Sequence, residues 1–153
     1  MTANPVQQLP GNKFYLLVGD GATPTEAFTF FCVATTIDSK HGAEVEDAWA
    51  PDCSDPDILP GRVSSVKGLT WDLTASGLCD PRKTPYQRVI AAYRDGDALN
   101  IQLMRNLPGT SGGNIEQQAF IVTNWTESKA DNGLVKFSCE FHGQGIPIVT
   151  ANS

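Results

Sequence analysis

The chain has 153 residues, of which 41% are hydrophobic and 18% are charged, and its formal net charge is −6. This length fits a single domain over residues 1–153, and no apolar run is long enough to span a membrane. Four widely spaced cysteines and only two histidines disfavour a zinc site, so we expect free thiols and no cofactor. The N-terminal residues show no signal peptide, which predicts synthesis in the cytosol.

The first part of the chain predicts a mobile arm followed by strands. Residues 1–12 are polar and contain two prolines and a glycine, which is typical of a flexible N-terminal arm. A short strand is predicted over residues 13–18, and the Gly19-Asp20-Gly21 turn ends it. Residues 27–37 are β-branched and aromatic and are apolar on both faces, which predicts a central strand.

A long irregular loop is predicted over residues 38–61, which contain three prolines and Trp49. Seven acids and one base lie between Asp38 and Asp57, so this segment alone carries a charge of −6, while the remaining ten acids and ten bases cancel. A connection of this length inside a compact domain is unusual and tends to be functional or disordered.

The middle of the chain predicts a strand, one helix and another strand. The first strand covers residues 63–74, with a possible bulge at Gly68. The helix is predicted to begin after an N-cap at Thr84 and to end at Gly96. Its apolar residues recur at helical spacing: Tyr86, Val89, Ile90 and Tyr93. The spacing of apolar residues then changes from a period of 3.6 to a period of 2 over residues 99–104, which predicts a strand.

The last part of the chain predicts a loop over residues 107–113, a hairpin of strands 118–126 and 134–142, and a short C-terminal tail over 144–153. These elements together favour a mainly β fold: a β-sandwich or partly open barrel with one flanking α-helix and a long loop.

No segment carries a convincing catalytic or metal motif. The segment from Gly109 to Gly113 matches the G-x-S-x-G nucleophile pattern, but it lies between two predicted strands and only His142 follows it, which favours a plain loop. Asp52, Asp55 and Asp57 of the predicted acidic loop lack the spacing of a calcium-binding EF-hand. We therefore expect neither an enzyme nor a metal site.

Three segments resemble the major tail tube proteins of siphovirus-like bacteriophages, which have long non-contractile tails. They are the strand and G-x-G ending of residues 137–147, the partner strand of residues 119–125, and the loop-to-strand passage of residues 57–77. The position of one helix after that passage also agrees, and the likeness extends from Phe14 to Pro147. The acidic, cysteine-bearing loop departs from the family pattern.

The resemblance implies a structural virion protein whose hexameric rings stack into a tail tube that conducts the phage genome into the host cell. Its partners would be further copies of itself, other tail proteins (tape measure, tail terminator and distal tail) and DNA in passage, without membrane insertion. It would lie in the virion, after assembly in the host cytoplasm. Alternatives are a related ring-forming tail terminator, head–tail joining or secretion-tube protein, or a soluble β-sandwich binding module.

Two groups of residues are predicted to serve this function. Because strands bury one face, their polar faces are assigned to solvent and, through the resemblance, to the lumen. This group is Asn100, Gln102, Lys136, Ser138, Glu140 and His142. The acidic loop, anchored by an apolar tryptophan, and the bases around the helix are predicted to make inter-subunit contacts. This group is Glu44, Glu46, Asp47, Trp49, Asp52, Asp55, Asp57, Arg82, Lys83, Arg88 and Arg94. The alternatives are a loop that folds back on its own helix or stays solvated.

Overall fold

A computed structural model describes residues 6, 8–131 and 133–153, and over these residues the chain forms seven strands and one α-helix. The elements are β1 (Phe14–Gly19), β2 (Phe28–Phe30), β3 (Ala34–Ala50), β4 (Gly61–Leu78), α1 (Thr84–Asp95), β5 (Leu99–Arg105), β6 (Asn114–Ser128) and β7 (Lys136–Ala151). The strands form one sheet in the order β2-β1-β5-β6-β7-β4-β3, with every neighbour antiparallel. The sheet does not close into a barrel. The predicted mainly β fold with one helix is confirmed.

The hydrophobic core lies between α1 and one face of the sheet. Strands alternate in burial, so every second side chain enters this core and the others point away from the helix. Tyr86 and Val89 bring the apolar side of α1 into the core, and Phe31 fills it from the turn between β2 and β3. The buried hydrophobic residues of the strands are Leu16, Val18, Trp71, Leu73, Ala75, Ile101, Leu103, Phe120, Val122, Phe137, Cys139 and Phe141.

The helix ends as predicted but begins differently. Gly96 adopts the left-handed conformation at φ 72°, which stops the helix. The N-cap position is occupied by Lys83, not by Thr84, and no side chain caps it. Gln87 does not complete a capping box, because its side-chain amide donates to the carbonyl oxygen of Pro81 at 2.7 Å.

The prediction of an irregular loop over residues 38–61 was wrong. β3 continues to Ala50 and β4 begins at Gly61, so only residues 51–60 form a turn. The two strands pair over almost their whole length, with two irregularities. One lies near the start of β3, between Ala34 and Thr36, and the other lies at the predicted bulge, where Glu44 is opposite Gly68 but Val45 is opposite Val66.

The expectation of a central strand over residues 27–37 was also wrong. This segment contributes to β2 and β3, which are the two outer strands of the sheet, with a turn between them. Phe31 and Val33 in that turn are buried against the core. The apolar residues on both faces therefore reflect a core-filling turn between two edge strands.

The C-terminal tail is a strand. β7 continues past His142 to Ala151 and pairs there with the start of β6 after an irregular passage around Gly145, whose φ is 85°. Asn152 then fixes the end of the chain, because its side-chain amide donates to the carbonyl oxygens of Arg105 at 2.9 Å and Leu107 at 2.8 Å.

The substitution Asn152→Ala should lower the free energy of unfolding by about 1–3 kcal/mol, because the two carbonyl oxygens lose their donor. Urea denaturation followed by circular dichroism would measure this change, with Ser153→Ala as the matched control at the next residue. Equal midpoints for Asn152→Ala and the wild type would show that the amide does not hold the C-terminus.

The buried thiol of Cys139 should make the protein sensitive to alkaline pH. Burial raises the pKa of this thiol from its ordinary value of 9.0 to about 12. The contribution of this thiol to the free energy of unfolding is therefore fully present below pH 9 and is lost as the pH rises toward 12. In this range the thiol ionises in the unfolded chain but stays neutral in the folded one. Between these values the free energy of unfolding should fall by up to ~1.4 kcal/mol per pH unit.

Denaturation series from about pH 8 to about pH 10 would test this slope, because higher pH would also involve Tyr86, whose pKa burial raises. Cys139→Ala should flatten the slope, and Cys32→Ser, which alters an exposed thiol, should retain it. The same slope in Cys139→Ala and the wild type would contradict the assignment.

Candidate functional surfaces

The sheet face opposite α1 carries all six residues predicted to line a lumen. Asn100 and Gln102 alternate with buried residues of β5. The four predicted residues of β7 alternate in the same way with three buried residues and are all exposed. Neighbouring strands extend this surface, because Glu140 lies between Thr74 of β4 and Asn124 of β6. We call the resulting surface the polar face: Asp72, Thr74, Ser76, Asn124, Thr126, Lys136, Ser138, Glu140 and His142.

Charges on the polar face are few and close to balanced. His142 lies with its Nδ1 3.0 Å from a carboxylate oxygen of Asp72, and Lys40 is the cross-strand neighbour of Asp72 on its other side. Lys136 and Glu140 offset each other, and the other members of the polar face carry hydroxyl or amide groups. Such a surface offers polyanions no array of cations.

The sheet face opposite α1 is less polar around β1 and β5 than the sequence suggested. Asn100 donates from its amide to Glu26 at 2.7 Å, and the Gln102 amide donates to Gln117 at 3.0 Å, so both are half-buried and engaged within the subunit. Sequence reasoning missed the apolar residues that share this face, although their alternation along the strands was a signal. They are Tyr15, Leu17, Met104, Ile115 and Ile148.

The second surface is a β-hairpin that extends beyond the core. β4 pairs with β7 only as far as the Asp72–His142 pair, so toward its N-terminus it has β3 as its single paired neighbour. Every residue from 43 to 70 is exposed, which defines the projecting hairpin, with its tip at residues 51–60. The hairpin therefore does not fold back on α1.

The projecting hairpin has one apolar and one acidic side. Val45 lies directly opposite Val66, and Trp49, which is 72% exposed, follows on the same side of β3. Leu69, which is 73% exposed, extends this apolar stripe toward the core. The acids of β3 lie mainly on the other side, with the exception of Asp47, whose carboxylate accepts a hydrogen bond from the Ser64 hydroxyl. The tip carries the remaining predicted acids: Asp52, Asp55 and Asp57.

The predicted basic residues do not form one patch. Arg82 pairs with Asp80, with 3.1 Å between Nε and Oδ1; this contact lowers the pKa of Asp80 and raises that of Arg82. Arg88 is half-buried, and its guanidinium lies near the Thr29 hydroxyl at 3.4 Å. Lys83 and Arg94 are exposed at opposite ends of α1.

His41 lies on β3 at the base of the projecting hairpin. The ring of His41 stacks on Trp71 at 4.9 Å, and its Nε2 lies 3.3 Å from Glu116, which also pairs with Arg105. Because Glu116 belongs to β6, this contact joins the base of the hairpin to the middle of the sheet.

The described residues show neither the geometry of a nucleophile elbow nor that of a metal site. Gly109–Ser111 forms a 3-10 turn between β5 and β6, whereas the nucleophile pattern requires a strand-to-helix turn. Over residues 6, 8–131 and 133–153, no three metal-ligating side chains come together. No helix in this part of the chain is long and apolar enough to cross a membrane.

Comparison with known proteins identifies the family. Residues 8–148 match the family described as phage tail tube protein, whereas no curated protein matches the chain. The tail of an empty gene transfer agent particle, determined with C6 symmetry, is 16% identical with a TM-score of 0.72, and the match covers 93% of this chain and 98% of that chain.

Two further structures are similar. The SPP1 tail tube is 12% identical with a TM-score of 0.73, and the match covers 95% of this chain and 80% of that chain. A baseplate structure of the anti-feeding prophage is 10% identical with a TM-score of 0.61, and the match covers 99% of this chain and 98% of that chain. These likenesses show the shared fold, and the family match spans all but the two ends of the sequence. The chain therefore belongs to the phage tail tube protein family.

Proposed function

We propose that six copies of this protein form a ring and that rings stack into the tube through which a phage-like particle delivers its genome. The observation that carries the proposal is the family match over residues 8–148. The C6 symmetry of the similar gene transfer agent tail supports rings of six. We also propose a purely structural role in the virion tail, without catalysis or a bound cofactor, and assembly in the host cytoplasm.

Sheet geometry supports ring formation. β2 and β3 are the outer strands, and a free strand edge is an aggregation liability unless another chain pairs with it. A ring satisfies these edges by placing the next subunit against them. The helix α1 covers one face of the sheet. The opposite face is therefore free to form the inner wall of such a ring.

The polar face is the surface that we assign to the lumen. DNA must slide through a tail tube, and every Lys or Arg that contacts a phosphate adds affinity through counterion release. The polar face has Lys136 as a permanent cation, with Glu140 on the same strand and hydroxyl groups around it, and Lys40 of β3 lies opposite Asp72. Such a wall gives DNA few places to bind.

The projecting hairpin is the surface that we assign to contacts between subunits. In an isolated subunit its apolar stripe of Val45, Val66, Leu69 and Trp49 is open to water, and such a stripe marks a protein–protein contact. The tryptophan supplies the kind of large apolar anchor that dominates binding energies, and the acidic tip supplies electrostatic steering. The other partners that we propose are the tape measure, tail terminator and distal tail proteins.

Purified protein should form rings or tubes without added metal or nucleotide. Size-exclusion chromatography over a range of concentrations, followed by negative-stain electron microscopy, would show them. A protein that stays monomeric at every concentration and salt tested would overturn the proposal. Isolated rings that never stack would contradict a tube and favour a ring-forming terminator.

A further inference from the structure

Two of the four cysteines line the same cavity. Cys32 and Cys79 both contribute to a cavity of about 510 Å³ at the end of the sheet where β3 begins and β4 ends. Cys32 is exposed, and Cys79 is half-buried. The other two cysteines lie elsewhere, with Cys53 exposed at the hairpin tip and Cys139 buried in the core. The proposed tube function gives the thiols of the cavity no role.

The pairing of β3 with β4 explains why these two cysteines share a cavity. Ala34 lies opposite Gly77, and each cysteine is two residues beyond its own strand's member of that pair. The chain just after Cys32 passes directly over Gly77, where the carbonyl oxygen of Val33 leaves no room for a side chain. The register and this close approach therefore bring both cysteines to one end of the sheet.

Cys79 is held in place from two sides. Its amide donates to the carbonyl oxygen of Val135 at 3.0 Å, and its sulfur lies 2.7 Å from the hydroxyl oxygen of Tyr86. Tyr86 is buried, and its hydroxyl donates to a carboxylate oxygen of Glu127 at 3.2 Å. The sulfur of Cys79 therefore has a fixed position at the wall of the cavity.

Cys32 lies in a turn that is anchored on both sides of it. Phe31 and Val33 are buried in the core, and the amide of Ala34 donates to the carbonyl oxygen of Phe31 at 3.3 Å. The side chain between these anchors is exposed, so it is free to rotate toward the cavity. This arrangement combines one accessible thiol with one fixed thiol.

The cavity is open to water and carries no net charge. Asp80 and Arg82, its charged lining residues, pair with each other at 3.1 Å between Oδ1 and Nε. Leu134, which is 71% exposed, lies at its opening. The volume falls within the range of cavities that enclose small ligands. A small-molecule disulfide of either charge can therefore reach the thiols.

We propose that Cys32 and Cys79 form a disulfide within the chain when the protein meets a small-molecule disulfide such as oxidised glutathione. The thiolate of Cys32 attacks one sulfur of the oxidant, so a mixed disulfide forms and one glutathione leaves. Cys79 then loses its proton and attacks the sulfur of Cys32, which releases the second glutathione. The chain gives up two hydrogens, and the oxidant is reduced to two thiols.

This bond would tie together the two ends of the β3–β4 hairpin. The loop that it closes contains β3 and β4 complete, so it restricts the unfolded chain over the whole hairpin. The inference rests on the proposed function for its timing alone. Thiols stay reduced in the cytosol where assembly is proposed, whereas the surface of a released particle is oxidising.

Oxidised glutathione, added to reduced and unassembled Cys53→Ser protein, should lower the intact mass by two hydrogens. This parent variant lacks the exposed tip thiol, and Cys139 is buried and should not react. Peptide mapping should show Cys32 linked to Cys79. Adding Cys79→Ser should leave one glutathione on Cys32, and adding Cys32→Ser should prevent any disulfide within the chain. A parent that keeps its mass, or that retains glutathione while Cys79 can still be alkylated, would overturn the proposal.

The linked parent should melt about 5–10 °C above the reduced parent, and a reductant should reverse the shift. The matched control with Cys32→Ser should melt at the same temperature with and without the oxidant. Equal melting of the linked and reduced parent would contradict a constraint on the hairpin. Wild-type protein that forms no tubes would overturn the proposed function and leave the mass shift unaffected, so the two failures are distinguishable.

Discussion

A variant in which Asn-Gly replaces residues 44–68 should fold normally and form no tubes. Ala43 lies directly opposite Leu69, so a two-residue turn can join them without changing the register of the remaining strands. All the removed residues are exposed and none belongs to the core, which should leave the melting temperature close to that of the wild type. Circular dichroism and negative-stain microscopy measure the two properties separately.

The comparison needs a variant that keeps the length of the hairpin. Changing the three tip aspartates to asparagine removes their charge without removing chain, so it should slow assembly but not prevent it. Tubes of normal length from the shortened protein would contradict the assignment of the hairpin to subunit contacts. Loss of cooperative melting would show instead that the hairpin stabilises its own subunit.

Glu140→Lys should form tubes that retain DNA. Glu140 is exposed on the polar face, so exchanging its charge should leave folding nearly unchanged. In the assembled tube the same change recurs in every copy, and a lumen lined with lysines would bind phosphate with an affinity that falls steeply as salt rises. Genome release from such particles, followed by the uptake of a DNA-binding dye, should be slower than in the wild type at low salt.

Asp95→Lys provides the matched control, because it makes the same charge exchange on the α1 side of the sheet. Asp95 is the last residue of the helix, where a positive charge is favourable. This variant should release DNA as the wild type does. Wild-type release by Glu140→Lys particles would show that Glu140 does not face the channel.

Local patterns predicted the elements whose residues alternate clearly. Apolar residues that recur every 3.6 residues predicted the helix, and the alternation of β7 placed Lys136 and Glu140 on the face away from the core. β3 was missed because Gly42, Glu44 and Asp47 have low strand propensity, and pairing with β4 overrides that propensity. Deleting residues 40–57 would therefore remove most of β3 and leave the N-terminal part of β4 unpaired.

Surfaces built from distant segments could not be predicted in the same way. The cavity at the end of the sheet where β3 begins and β4 ends is lined by residues 32, 33, 35, 78–82 and 134–135, and no local pattern joins these three segments. The apolar stripe of the hairpin needed the register that sets Val45 against Val66. The charge of the acidic segment was visible in the sequence, but its place on a rigid projection depended on the strand pairing.

Beyond the Asp72–His142 pair β4 parts from β7, and the hairpin continues as a ribbon of two strands. A seven-stranded sheet packed against a helix is stiff, whereas a ribbon of two strands twists and flexes far more readily. In a tube whose rings are joined through such ribbons, bending of the tube would occur mainly at the connections between rings, while each ring kept its shape. The compliance of the whole tail would then depend on the length of this ribbon, and stiffening it would straighten the particle without altering the bore.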